Sequence, residues 1–228
     1  MKAIEDSIPL YDQVNDLISF GKAQEARSFA LARLELRDGI CILDSGIGPG
    51  PTSKLILSSI KPRLLVGFDG SVKQLKTAKE NLTSSNEVLQ TVRGAFDFLP
   101  FREGTFDAII TCYALRDSLD LSKSLAEYSR VCVPSGSFAD VDIGKPDSVV
   151  KRAGSILYIK FIMPLIAKLA IMGRISGNPW RMIAPTYKSL PTNRMLLSEV
   201  EQKFRKVEFK EFLTGGLIVI VGRKSPAD

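Results

Sequence analysis

A short apolar run, Gly39-Ile-Cys-Ile-Leu-Asp44, ends in an acid and opens into Ser45-Gly46-Ile-Gly48-Pro-Gly50. A run this short, with no polar alternation, reads as a parallel strand buried on both faces. Glycines at its carboxyl end let backbone approach a ligand at the mouth of a sheet. The same unit recurs down the chain. Leu64–Asp69, Val88–Arg93, Phe106–Cys112 and Ser137–Val141 read as strands two to five, with a Pro134-Ser-Gly136 turn leading into the last. Between them Ser53–Ile60, Ser71–Leu82 and Leu121–Cys132 read as helices, Ser71 being the N-cap of its helix. Two further helices, Ser7–Phe20 and Ala23–Leu36, precede the first strand.

After residue 147 the pattern changes. Val149–Ile171 is a long apolar helical stretch, residues 173–192 are rich in Gly and Pro and read as loop or short helix, and Ser198–Phe204 reads as a helix. Lys206–Phe212 and Leu217–Gly222 then read as two strands, and Thr214-Gly215-Gly216 between them is a hairpin signal. The expected fold is α/β: a Rossmann-like, doubly wound, mostly parallel sheet of seven strands with a C-terminal antiparallel hairpin. The 228 residues suit a single domain. Within it we expect N-terminal helices over 1–37, a ligand-binding core over 38–146, a helical cover over 147–192, and a closing helix and hairpin over 193–224.

Composition removes several chemistries. The chain has no histidine, so serine–histidine and cysteine–histidine catalysis are excluded and a zinc hydrolase is disfavoured. No metal site is expected. The three cysteines, Cys41, Cys112 and Cys132, lack metal-ligand spacing and fall in apolar surroundings, so buried reduced thiols in a cytoplasmic protein are expected. Acids interrupt Met1–Phe20, so it does not read as a signal peptide. The net charge is +6, but the cations are scattered without interleaved aromatics, and nucleic acid is not an expected partner.

The glycine loop is G-x-G-x-G, with Pro51 standing where a pyrophosphate would need an open helix N-terminus. S-adenosylmethionine carries an ammonium and a sulfonium and no phosphate, so an acid such as Asp44 at the strand end suits it. Asp69 ends the second strand about 20 residues further on, where a carboxylate accepts from both ribose hydroxyls. A structural tight turn and a plain helix cap are the ordinary alternatives for these two features.

Gly94-Ala-Phe96-Asp97-Phe-Leu-Pro100-Phe101, followed by Gly104-Thr-Phe106-Asp107, resembles a stretch shared by class I methyltransferases in which an acid reads the adenine amino group. The family's acid after the glycine is Ala95 here. The resemblance therefore passes adenine recognition to Asp97 or to backbone near Phe96, with Phe96 stacking on the ring or packing in the core. Ser45, Gly46, Gly48, Gly70, Cys112 and Tyr113 complete the expected cofactor set. More specifically, Tyr113-Ala-Leu-Arg116-Asp117, Tyr158 with Phe161-Ile-Met-Pro164, and Leu213-Thr-Gly-Gly216 resemble segments of the ubiquinone/menaquinone-biosynthesis C-methyltransferases.

That resemblance implies methyl transfer from S-adenosylmethionine to a ring carbon ortho to a quinol hydroxyl. Arg116 would stabilise the developing phenolate. It is a poor base, which leaves Asp117 or a water as proton acceptor. The alternatives are a methyltransferase acting on another small molecule or on RNA, and a non-catalytic binder of the same cofactor. A lipidic quinol, a peripherally touched membrane and a second copy of the chain are the expected partners. In the segment 149–174, Lys160 and Lys168 fall on one side, with Ile159, Ile162, Ile166 and Leu169 away from them, and Pro164 is expected to kink or break the helix. The same helix packed on the sheet is the competing reading.

Overall fold

The computed structural model describes residues 11–83, 88–171 and 179–226. Two helices, α1 (Tyr11–Ile18) and α2 (Lys22–Arg33), lead into β1 (Cys41–Ser45). The alternation then runs α3 (Pro51–Ser59), β2 (Leu64–Asp69), α4 (Val72–Asn81), β3 (Leu89–Arg93), β4 (Phe106–Cys112), α5 (Leu121–Val131) and β5 (Cys132–Ile143). The remainder is α6 (Val149–Leu157), a π turn (Tyr158–Ile162), α7 (Met163–Ile171), α8 (Ile183–Ser189), α9 (Asn193–Glu201), β6 (Arg205–Phe212) and β7 (Leu217–Arg223). Residues 7–10 of the first expected helix, and 172–178 of the expected cover, lie outside the described residues.

The seven strands form one sheet in the order β3-β2-β1-β4-β5-β7-β6. β1 to β5 pair in parallel, and β7 runs antiparallel to both β5 and β6. The order reverses between β1 and β4, and a crevice opens at such a switch point, beyond the carboxyl ends of the strands. One sheet face buries Ile42, Ile110, Val141 and Val219 with Ala26, Ala30 and Ile56 of the covering helices. The other buries Leu43, Ile109, Phe138 and Ile220 against Leu125, Tyr128 and Val200. A third cluster, Val14, Ile159, Met163, Ala167, Trp180 and Tyr187, joins α1 to α7 and α8 away from the sheet.

Several local signals act as read. Ser71 Oγ accepts the Gln74 N–H and caps α4, all three cysteines are buried and free, and the hairpin closes with Phe212 opposite Leu217. Three expectations are corrected. The helix placed at Ser198–Phe204 is Asn193–Glu201, because Leu196 and Val200, one turn apart, are the residues that pack inward. The Pro134-Ser-Gly136 turn lies inside β5. Cys132 already pairs with Phe106, and the register resumes at Ser137 after a bulge in which Ser135 takes φ 62°.

The third correction concerns the long helix, which bulges and does not break. Pro164 has no N–H to offer the Lys160 carbonyl, and its ring would crowd that group. The turn just before it widens, with Met163 N donating to Tyr158 O, and the helix continues. The faces also differ from expectation. Ile159 is buried and Ile166 partly buried against the protein, whereas Ile162 and Leu169 are exposed on the side that carries Lys160 and Lys168.

Candidate active site

The carboxyl ends of β1, β2 and β4 frame a cavity of about 620 Å³, a size typical of small-molecule sites. Gly46 N and Ile47 N both donate to Phe68 O, at 2.7 and 3.1 Å, and so pin the glycine loop to β2. Gly46 sits at φ 78°, and a Cβ there would meet the Ala114 Cβ at 2.2 Å. Only glycine lets the loop pass the segment that follows β4.

Two acids lie at the strand ends. Asp69 accepts the Gly48 N–H through Oδ2 at 3.1 Å and the Ser71 N–H through Oδ1 at 2.8 Å. The carboxylate keeps lone-pair capacity beyond these bonds, open to a hydroxyl donor of a vicinal diol. Burial raises the Asp69 pKa, and the N–H bonds from Ser71, Gly48 and Gly70 oppose it. Asp44 is buried beneath the loop and accepts the Ser53 Oγ–H at 2.6 Å. Burial pushes it up to about 6, against the Ser53 bond and the nearby Arg27 charge.

The structure brings Gly46, Gly48, Asp69 and Gly70 to the lining of this cavity. Phe96, Asp97, Cys112, Tyr113, Arg116 and Asp117 line it too, whereas Asp44, expected among them, does not. Phe96 packs on Phe68 with ring centroids 6.1 Å apart. Asp97 is buried and accepts the Ser124 Oγ–H at 2.7 Å. Burial pushes the Cys112 thiol up to about 12, so it stays neutral. Ser45 is turned away, its Oγ 2.9 Å from the Tyr128 hydroxyl inside the core.

Arg116 follows β4 in a short 3₁₀ turn, Leu115–Asp117. Its Nη1 donates to Asp142 Oδ1 at 2.7 Å, and its backbone N–H donates to Asp142 Oδ2 at 3.0 Å. Asp117 lies on the open side, with Oδ1 3.9 Å from Arg116 Nε. Burial raises the Asp117 pKa and the Arg116 charge lowers it. Asp140, two residues before Asp142, is fully buried, and neither of its carboxylate oxygens has a hydrogen-bond partner among the described residues. Burial and then the Asp142 charge hold it well above the usual carboxylate range.

A second cavity, of about 460 Å³, lies between α1, α6, the π turn and the hairpin loop. Ile18, Ile143, Ile159, Met163 and Leu217 make its lining mostly apolar. It meets the first cavity at Tyr113, Arg116 and Ile183, which line both. Tyr113 is held at φ 60°, with its hydroxyl donating to Ala23 O at 3.0 Å. Trp180 bounds the first cavity, and its Nε1–H donates at 2.9 Å to Asn15 of the second.

Three of these residues escape sequence reasoning. Arg27, buried beside Asp44 and 5.8 Å from the Tyr113 ring centroid, belongs to no local motif. Trp180 lies in the segment read as loop or short helix, and sits in a short 3₁₀ turn, Pro179–Met182. Asp142 had one usable signal, two acids at alternate positions inside an apolar strand.

Residues 2–224 match the family model described as the ubiE/COQ5 methyltransferase family. A ubiquinone/menaquinone biosynthesis C-methyltransferase, UbiE, of Syntrophotalea carbinolica is 28% identical over 224 residues, covering 96% of this chain and 92% of the relative. A demethylmenaquinone methyltransferase of Desulfitobacterium hafniense is 28% identical over 226 residues, covering 95% and 85%. Among solved structures, a SAM-dependent methyltransferase from Aquifex aeolicus superposes with TM-score 0.63 at 15% identity, covering 96% and 98%. Phosphoethanolamine N-methyltransferase 2 of Haemonchus contortus, in complex with S-adenosyl-L-methionine, superposes with TM-score 0.71 at 13% identity, covering 98% and 57%. The two structural likenesses bear on the fold.

Proposed function

Since the chain belongs to the ubiE/COQ5 methyltransferase family, we propose that it methylates a ring carbon of a demethylated quinol in isoprenoid quinone biosynthesis. S-adenosylmethionine is the cofactor. Its cavity fits: Asp69 keeps lone-pair capacity for a ribose hydroxyl, and Phe96 and Asp97 line the same cavity, where the adenine would end, while Asp44 lies buried beneath the glycine loop outside the lining and would act on an ammonium through its charge alone. Bound there, the cofactor supplies an electrophilic methyl group on a sulfonium.

The observation that carries the reading is the junction of the two cavities at Tyr113, Arg116 and Ile183. A mostly apolar cavity that opens onto the cofactor cavity beside one guanidinium suits an apolar molecule with an ionisable ring hydroxyl. Asp117 takes the hydroxyl proton. Its pKa, raised by partial desolvation although the side chain is still 54% exposed, makes it a somewhat stronger base than a fully solvated aspartate. Arg116 holds the negative charge that develops on the oxygen, and Asp142 holds Arg116. The ortho carbon would gain the electron density to form the new carbon–carbon bond as the sulfonium carbon–sulfur bond breaks with its electron pair kept by sulfur, and the ring hydrogen would then leave as a proton to water, restoring the aromatic ring. Residues 147–171 and 179–192 serve as the cover that shuts water out. On this reading the chain works in the cytoplasm, at a membrane face that holds the acceptor.

Methyl-labelled cofactor offered with a demethylated quinol, bulk RNA or bulk protein tests the proposal. Label on the quinol ring carbon is expected. Label on RNA or protein with none on the quinol, or binding without transfer, overturns it.

A further inference from the structure

We infer that the outer face of α6, the π turn and α7 is the surface with which this protein lies flat on an anionic lipid bilayer, where its apolar cavity opens. The inference rests on the quinol reading for its purpose and on the geometry for its substance.

The stretch Val149–Ile171 is long and apolar enough to cross a membrane by composition, with mean hydropathy 1.7 over an 18-residue window. It does not cross one here, because Ile159, Met163, Ala167 and Ile171 are buried against the rest of the molecule. The opposite side is what stands out. Val150, Leu157, Phe161, Leu165 and Leu169 are exposed by 82, 57, 65, 57 and 66%. A soluble helix normally turns polar residues to water on that side, and a large exposed apolar patch marks an interaction surface. Phe20, 66% exposed at the end of α1, extends the patch and packs on Tyr158 with ring centroids 6.2 Å apart.

Charge selects the occupant. Residues 148–171 contain Lys151, Arg152, Lys160 and Lys168 and no acid. Lys160 and Lys168 are exposed among the apolar residues themselves. Long cationic side chains can reach headgroups while Phe and Leu enter the acyl boundary. A second copy of the chain is a poorer occupant, since a twofold pairing would set this cationic face against itself.

The cavity supplies the reason for the contact. Phe20, Lys151 and Gly154 line the 460 Å³ cavity and are also exposed, so its mouth opens at the edge of the patch. An apolar acceptor can then pass from lipid to Arg116 without crossing water.

Co-sedimentation with vesicles of phosphatidylcholine, alone or containing phosphatidylglycerol, tests the inference. Binding is expected to the anionic vesicles, and to weaken as salt rises. Lys160→Glu with Lys168→Glu should weaken it by at least about tenfold, since each cation near an anionic surface contributes roughly fivefold. Phe161→Asp with Leu165→Asp should abolish it. Calorimetric cofactor binding, expected unchanged in both variants, confirms that they fold. No sedimentation of the folded protein at low salt overturns the inference. So does a stable dimer in analytical ultracentrifugation that Phe161→Asp dissociates. The quinol reading fails separately: vesicle binding without turnover of a short-chain, water-soluble quinol defeats that reading alone, and turnover without vesicle binding defeats the docking alone.

Discussion

Asp142 grips Arg116 twice, its Oδ1 accepting from the guanidinium at 2.7 Å and its Oδ2 from the backbone N–H of the same residue at 3.0 Å. The side chains are 10 and 4% exposed, so the pair is fixed in both place and direction where the two cavities join. Its worth lies in aim more than in stability, because a buried ion pair loses much of its attraction to desolvation.

Arg116→Ala should leave cofactor affinity near normal and lower turnover on a demethylated quinol by about 100-fold or more, the order seen when one oxyanion donor is lost. The single variant also strands Asp142 and should cost roughly 3–5 kcal/mol of stability. The double variant Arg116→Ala, Asp142→Leu should recover most of that stability and none of the turnover. Denaturant melts and single-turnover kinetics separate the two effects, and near-normal turnover would return Arg116 to a structural role.

Asp69→Ala should weaken the cofactor by about 10- to 150-fold, the cost of roughly 1.5–3 kcal/mol for lost charge-assisted hydrogen bonds. Calorimetry checks it. Unchanged affinity in a folded variant would remove Asp69 from the site.

Asp44 makes binding and stability respond to pH in opposite senses. Its folded value near 6 stands above the ordinary 3.8, so the folded chain retains a proton that the unfolded chain releases. The stability this contributes is full below about pH 4 and lost as pH rises through 6. A cationic ammonium nearby favours the ionised acid, so cofactor affinity should climb between about pH 5 and 7 and then level off. Asp44→Asn should flatten that climb. A wild-type affinity independent of pH in this window would show that Asp44 does not face the ammonium.

Asp140 carries a charge penalty that the Arg116 charge offsets only in part. Its raised pKa means that ionisation costs the folded state increasingly above the ordinary carboxylate range. Asp140→Val, which suits the strand, should stabilise the protein by roughly 1–3 kcal/mol at pH 8 and by less at pH 5. Thermal melts at the two pH values decide it. Equal shifts at both would mean that the carboxyl is not the source.

The strands were the most legible part of the chain. Leu64–Asp69 and Phe106–Cys112 were read with the bounds they have, because an unbroken apolar run between polar residues admits little else. The glycine loop and Asp69 were legible for the same reason, each being tied to a strand end. What escaped was set by long-range contact. Arg27 reaches Asp44 only because α2 packs across the sheet, and Asp142 meets Arg116 only because β5 lies beside β4. The faces of the cover helix were misjudged because a π turn shifts every later residue around the axis, and neither Pro164 nor the lysines reveal by how much.

Trp180 is the chain's one tryptophan, it is 2% exposed, and it bounds the cofactor cavity while bonding to Asn15 of the other. The molecule thus carries its own optical gauge at the wall between its two cavities. Indole emission needs no label, reports a single position, and responds to the polarity and quenching that either occupant brings. Titrating each ligand alone, then the second over the first, would give the order of filling from one signal.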